Sequence, residues 1–293
     1  MRRLYRIIGC AGALAPLGLL ALGLSGCAVR KTRVVPAPRP ALTASLDELL
    51  RRIDGERDAV RTLDATVELL PTAGSEHSGV IEEYHDVRAF ILAERPGRIR
   101  LIGQAPLVRT NVFDMASDGA RFELYIPSKN KFIVGTGRMQ KPTKKPIERL
   151  RPQHILDALF LPERAADARV VGEENEVAGT RYYIVSVLWV SGNRVELEQK
   201  FWFARADLDL VRIQRFEEGG HLVSDVFWSG YADWGGVRYP RSIRLVRPAE
   251  DYSLTINIQK LALNETIPPE KFVLQRPEGT ELVDLASGNS TRE

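Results

Sequence analysis

Few side chains in this sequence could do chemistry. There are two thiols, Cys10 and Cys27, and four imidazoles, His77, His85, His154 and His221. A metal site needs ligands spaced to meet at one point, such as two histidines on one helix face, and no pair here is so spaced. Glu83 and His85 share a strand face, an arrangement that more often makes a surface salt bridge than a metal site. No glycine-rich phosphate loop occurs, and no Gly-x-Ser-x-Gly nucleophile turn. The residue types thus suggest no catalytic constellation, no metal and no cofactor, although a triad can be assembled from distant residues and stays open as a third reading. Cys27 is the exception, because of what precedes it.

Arg2, Arg3 and Arg6 stand at the start without an acid, and an apolar run from Ile7 to Leu24 follows, broken by small residues and Pro16. A positive start, a short apolar core and a small-residue boundary make a secretory signal rather than a spanning helix. The run ends in Leu24-Ser25-Gly26-Cys27. This segment resembles the lipobox of bacterial lipoproteins. The resemblance implies a signal peptide over 1–26, cleavage before Cys27, and a diacylglycerol on its sulfur. Two or more acyl chains anchor a protein stably, where one does not. Ala28, rather than Asp, implies transport to the outer membrane, with the domain lipid-anchored and facing the periplasm. With Cys10 inside the signal, only Cys27 survives processing, so no internal disulfide is expected.

The chain has 41 basic and 38 acidic residues; the first 26 hold three of the basic ones and none of the acidic, leaving 38 of each. That balance gives no case for nucleic-acid binding. Residues 27–43 read as a tether, with Arg30, Lys31, Arg33 and Arg39 among Pro36, Pro38 and Pro40. Alternating prolines favour extended polyproline geometry, at about 3.1 Å per residue a reach of roughly 40 Å. Its cations either sit near anionic lipid, where each contributes about 1 kcal/mol, or mark a solvated spacer.

A domain is expected over 44–286, with a polar tail at 287–293. Ser45-Leu46-Asp47-Glu48 has capping-box spacing. Leu46, Leu49, Leu50, Ile53, Val60 and Leu63 recur at three- and four-residue steps, predicting one amphipathic helix. From Thr66 the period becomes two. Phe122, Leu124 and Ile126 alternate with polar neighbours, as do Val195, Leu197, Phe201 and Phe203, and Leu254, Ile256 and Ile258. Turns are expected at Asp118-Gly119, Ser191-Gly192-Asn193, Gly219-Gly220 and Gly235-Gly236. About ten or eleven antiparallel strands follow from this pattern. Tyr182 to Val190, apolar on both faces, should sit centrally. A basic loop over 138–151 interrupts the strands, and a short helix should begin near Pro152 and close at Pro162. A sheet wet on one face must bury the other. The two helices are the available cover, so the expected fold is mainly β with helices, an incomplete antiparallel barrel curved around them.

This pattern resembles the LolA/LolB-like family of lipoprotein carriers and receptors. The likeness is carried by Arg98-Ile99-Arg100-Leu101, Pro106-Leu107, Asp118-Gly119, Tyr239-Pro240 and the stretch from Asn264 through Phe272. It implies helices forming a lid over an apolar cavity. It also implies that Leu107, flanked by Pro106 and Val108, protrudes and helps insert cargo lipid into a membrane. Phe122, Leu124, Leu188, Phe201, Phe203 and Trp228 are candidates to line the cavity, although a filled core reads the same way. The partners would be the membrane through the N-terminal lipid, a lipidated protein or acyl chains, and a periplasmic carrier protein. The alternative is a structural envelope lipoprotein that docks a protein complex and binds no lipid. Cys27→Ser should abolish membrane attachment and leave the domain folded. Fractionation after expression tests this, and a variant still pelleting with membranes after a salt wash would refute the lipobox reading.

Overall fold

A computed structural model describes residues 41–73, 82–83, 86–105, 110–136 and 151–285. Cys27 with the signal and most of the tether, His77 and His85, the Pro106-Leu107-Val108 loop, nearly all of the basic loop and the polar tail lie outside the described residues.

The capping box forms as its spacing predicts. The Ser45 amide donates to Glu48 Oε2 at 2.7 Å and the Glu48 amide to Ser45 Oγ at 3.3 Å. Two N–H groups that the first turn leaves without partners are thereby satisfied. Helix α1 (Leu46–Asp58) buries Leu49 and Ile53. It stops five residues short of Leu63, which lies on the first strand. Asn264, in the left-handed region at φ 62°, explains the stop. Its Nδ2 donates to the Ala59 carbonyl at 2.7 Å and its Oδ1 accepts from the Arg61 amide at 2.8 Å. Val60 and Leu63 still reach the core, so the helical spacing persisted through a turn.

The strands before the second helix are β1 (Thr62–Ala73), β2 (Glu82–Glu83), β3 (Val87–Glu94), β4 (Arg98–Gln104), β5 (Asn111–Ser117), β6 (Arg121–Ile126) and β7 (Lys131–Thr136). Helix α2 (Pro152–Leu159) follows, opening on Pro152 as expected. After it come β8 (Arg169–Val177), β9 (Thr180–Ser191), β10 (Arg194–Ala204), β11 (Leu210–Glu217), β12 (His221–Ser229), β13 (Ala232–Trp234), β14 (Val237–Tyr239), β15 (Ser242–Arg247), β16 (Tyr252–Leu263) and β17 (Glu281–Asp284). All four expected turns separate strands where the glycines predict, each with a glycine at positive φ.

The main sheet runs β17-β7-β6-β5-β4-β3-β1-β16-β15-β12-β11-β10-β9-β8, with β2 beside β1 and β13-β14 a separate ribbon. Every pairing is antiparallel except β17 with β7. Among the described residues the end strands β8 and β17 do not pair, and the sheet is open. The described strands number seventeen, more than the expected ten or eleven; β2 and β17 are too short to show a period, and β8 is exposed nearly throughout. Inner residues of both arms share one core cluster with Leu49 and Ile53 of α1 and Ile155, Leu156 and Leu159 of α2.

Two expectations shift at β9 and β10. Tyr183 to Val187 are buried, yet Trp189 and Val190 are 50% and 45% exposed. β9 stands next to the edge, and its far half runs past the core. In β10 a register shift between Leu197 and Gln199 breaks the alternation. Phe201 and Phe203 face inward opposite Val185 and Tyr183, whereas Leu197 and Val195 pair with Leu188 and Val190 on the other face. One inserted residue, Glu198, thus flips the start of the strand.

Helix α2 is held at its C-terminal end. Trp228 Nε1 donates to the Ala158 carbonyl at 3.0 Å and the Tyr239 hydroxyl to the Leu159 carbonyl at 2.6 Å, both buried. These are among the carbonyls a helix end leaves unpaired. The C-terminal segment is held by the Arg98-Ile99-Arg100-Leu101 strand. Arg98 packs over the Phe272 ring at 5.3 Å, and Arg100 Nη1 donates to the Lys271 and Val273 carbonyls, each at 3.1 Å. Tyr239→Phe should cost about 1–3 kcal/mol, because it strands a buried carbonyl. Urea unfolding measures it, and a change within about 0.5 kcal/mol, as for an ordinary surface substitution, would show the clamp dispensable.

Candidate functional site

A cleft of ≈ 310 Å³ lies between α2, the segment after it, the β3–β4 turn, β10 and β11. Its apolar wall is Pro96, Leu156, Phe160, Leu161 and Pro162. Its polar side chains are Arg95, Gln153, Asp157, Glu163, Glu198, Gln199 and Arg215. Helix periodicity sets the wall's inner part. Ile155 and Leu159 turn fully into the core, while Gln153, Leu156 and Asp157 lie along the flank that meets the cleft.

Gln199 owes its position to the bulge. Beyond Glu198 it lies on the inner face, paired with Val187 on one side and Arg215 on the other, and is only 2% exposed. Its Nε2 donates to the Glu163 carbonyl at 3.4 Å, and its Oε1 is buried without a partner. Arg95 donates to the Leu161 carbonyl and packs over the Phe160 ring at 5.4 Å. Its Nε is also buried without a partner. Burial first, and then the nearby Arg57 guanidinium, pull the Arg95 guanidinium below its usual range. Arg215 reaches Asp157 at 2.7 Å, and Gln153 Nε2 donates to the same carboxylate at 2.9 Å. The cleft therefore combines an apolar wall with one engaged ion pair.

A second void, of ≈ 10 Å³, lies among Glu56, Arg57, Val60, Trp228 and Tyr239. It has room for no more than about one water. Burial pushes the Glu56 carboxyl up to about 7. On α2, His154 Nδ1 meets the Tyr252 hydroxyl at 2.7 Å, and the two rings stack. Burial, then Arg247 and Arg151, push this imidazole down to about 3. It is neutral at ordinary pH. Among the described residues no group of three or more His, Cys, Asp or Glu could hold a metal ion.

The residues expected to line a cavity lie elsewhere. Phe122, Leu124, Phe201, Phe203 and Trp228 are all in the main core, each no more than 4% exposed. The Phe122 ring fills the space that a side chain at Gly135 would need, with Arg151 over it at 4.9 Å. Trp228 borders the small void. Leu188 is half-buried and faces the side away from Phe201, opposite Leu197. Sequence reasoning missed Arg95, Gln153, Asp157, Gln199 and Arg215. One signal was present: Gln199 is a polar residue in phase with Phe201 and Phe203.

No protein-family model matches the sequence, and no curated protein matches it. Solved structures do. A DUF1329 family protein from Desulfovibrio piger is similar at TM-score 0.50 and 14% identity, over 77% of this chain and 94% of that one. A LolA superfamily protein from Nitrosomonas europaea gives 0.49 and 10%, over 79% and 99%. A domain from Vibrio parahaemolyticus, named for outer membrane lipoprotein sorting, gives 0.47 and 12%, over 77% and 94%. At 14% identity the likeness to the DUF1329 protein is of fold alone. Among the described residues no helix is long and apolar enough to cross a membrane.

The two shifted groups oppose each other in pH. Glu56, raised in the fold, contributes stability that is complete below its ordinary 4.5 and is lost as pH rises through about 7. His154, lowered in the fold, contributes stability that is complete above its ordinary 6.5 and is lost as pH falls toward about 3. Each slope amounts to at most about 1.4 kcal/mol per pH unit. Glu56→Gln should remove the loss of stability as pH rises from 4.5 to about 7, and His154→Phe the loss as pH falls from 6.5 toward about 3. Chemical denaturation across that range checks both; parallel curves for wild type and variant would show the groups are not perturbed.

Proposed function

We propose that this chain is an outer-membrane-anchored lipoprotein whose LolA-like half-barrel binds an acyl-bearing ligand in the cleft beside α2, in a receptor or insertion role. The observation that carries the reading is the cleft itself, with its apolar wall of Pro96, Leu156, Phe160, Leu161 and Pro162. An acyl chain on that wall gains roughly 0.8 kcal/mol per methylene it buries. The lipobox at Cys27 and the basic tether supply the anchor. Leu107, between β4 and β5 in the sequence, is the proposed membrane contact by resemblance to the receptor branch.

A second reading has its own support. The core behind the cleft is filled, Phe201 and Phe203 being fully buried, while Val171, Trp189, Val190 and Val195 are 45–61% exposed along the β8–β10 margin. A domain that docks an envelope complex would have such a packed interior and such an apolar margin.

Native mass spectrometry and lipid extraction of the unlipidated domain, prepared without detergent, separate the two. Acyl binding predicts co-purifying lipid and uptake of an uncharged fluorescent acyl probe. Gln153→Trp, on the half-buried flank of α2 that borders the cleft, should weaken uptake by about tenfold, equivalent to roughly 1.4 kcal/mol. A lipid-free wild-type domain that takes up no probe would leave the docking reading. Leu107→Glu should melt like wild type yet impair transfer of lipidated cargo into liposomes; a large loss of stability would instead make Leu107 a packing residue.

A further inference from the structure

The β9–β10 hairpin runs past the core, and its end is apolar on both faces. Residues paired across two strands share a face. Val190 pairs with Val195 on the outer face, next to the pair Leu188 and Leu197. Trp189 lies on the inner face, continuing the buried row of Tyr183, Val185 and Val187 beyond the last of them. Trp189, Val190 and Val195 are exposed, as are Ser191, Gly192 and Asn193 in the turn.

Covering such a ribbon takes something that reaches both of its faces. A protein surface or a second copy laid on the sheet would cover one face and leave the other wet. A lipid interface surrounds whatever enters it. The indole of Trp189 suits that depth, with an apolar body and one polar N–H. Charge narrows the lipid. Arg194 is engaged by Glu196 at 2.7 Å and Glu218 at 2.9 Å. With Glu217 at the end of β11 and Arg169 opposite Leu188, the tip has three carboxylates against two guanidinium groups. Anionic head groups therefore gain nothing there.

The point where the domain joins its tether fits the same arrangement. The Leu42 amide donates to the Arg205 carbonyl at 2.7 Å, at the opposite end of β10 from the turn. From Arg205 back to Arg194 the strand spans about 36 Å, at roughly 3.3 Å per residue. An extended tether of roughly 40 Å covers that length. Lipid on Cys27 and the hairpin tip can thus share one bilayer.

We infer that the β9–β10 tip is a membrane contact, at which Trp189, Val190 and Val195 enter the interface of a zwitterionic phospholipid bilayer. This goes beyond the acyl-binding reading and does not depend on it.

The chain from Ala28 onward contains no cysteine. A single thiol introduced by Asn193→Cys in the turn, or by Ala206→Cys beyond the far end of β10, therefore takes an environment-sensitive fluorophore at one place. Titration with phosphatidylcholine vesicles to millimolar lipid should brighten and blue-shift the turn label, and chain-brominated lipid should quench it. The Ala206→Cys label should respond to neither. Adding phosphatidylglycerol should leave the affinity within about twofold. Trp189→Ser with Val195→Ser should weaken binding by about tenfold, roughly the worth of one such side chain leaving water. Val195→Asp alone repeats that arm should the double variant fail to fold. No response of the turn label at millimolar lipid, equal responses from both labels, or tighter binding to anionic vesicles that salt abolishes would overturn the inference. So would a dimer in solution that the same substitutions dissociate, which would make the tip an interface between copies of this chain. Uptake of the acyl probe reads separately, since none of these positions lines the cleft; its absence would remove the acyl-binding reading and leave the membrane contact standing.

Discussion

A helix that ends inside a protein must find donors for its last carbonyls. In this molecule that requirement organises the concave side of the sheet. The Ala158 and Leu159 carbonyls take theirs from Trp228 on β12 and Tyr239 on β14. Helix α2 is thereby fixed against one arm of the sheet, and its flank becomes the wall of the cleft. Asn264 does the same for α1, joining the helix end at Ala59 to the start of β1 and the end of β16. Three of the five stretches compared with the LolA/LolB-like family, Arg98 to Leu101, Tyr239-Pro240 and Asn264 to Phe272, take part in such fastenings. Tyr239 clamps one helix and Asn264 the other. Arg98 and Arg100 hold the segment that follows Asn264. Each satisfies a helix end or seats a chain segment on the sheet.

What could be read from the sequence follows the range of each interaction. The capping box at Ser45 and Glu48, Pro152 at the start of α2, the four glycine turns and the alternation in β6 and β16 depend on near neighbours, and they are legible. The end of α1 depends on Asn264, some two hundred residues away, and its periodicity therefore pointed too far, to Leu63. The bulge at Glu198 is a matter of strand pairing, invisible in one strand alone. It moved Val195 and Leu197 to the outer face and left Gln199 alone among core residues. The cleft is assembled from the β3–β4 turn, α2, β10 and β11, so no local pattern could announce it. The polar residue in phase with Phe201 and Phe203 was its one trace.

The outer face shows how a wet sheet covers itself without a second layer. Trp202, Arg212, Phe227 and Arg244 are successive partners across β10, β11, β12 and β15. Each guanidinium lies over a neighbouring ring: Arg212 at 5.0 Å from Trp202 and 4.9 Å from Phe227, Arg244 at 4.2 Å from Phe227. Asp225, 2.5 Å from Arg212, balances that charge. Alternating cations and rings let bulky apolar groups remain half-exposed while presenting charge to solvent. Beyond this row, toward the β9–β10 turn, the cover ends and Val190 and Val195 stand bare.

The unpaired ends of the sheet have a mechanical meaning. In a closed barrel, strand number and stagger set the bore, and altering it means breaking a ladder. Here β8 and β17 are not joined, so the sheet behaves as a split ring rather than a pipe. Its curvature is the sum of small twists between neighbouring strands, each variable by several degrees within the normal range. Distributed over the whole path, such changes can spread or draw in the two arms with every backbone hydrogen bond kept. The core that both arms share with the two helices then sets how far the curvature can change.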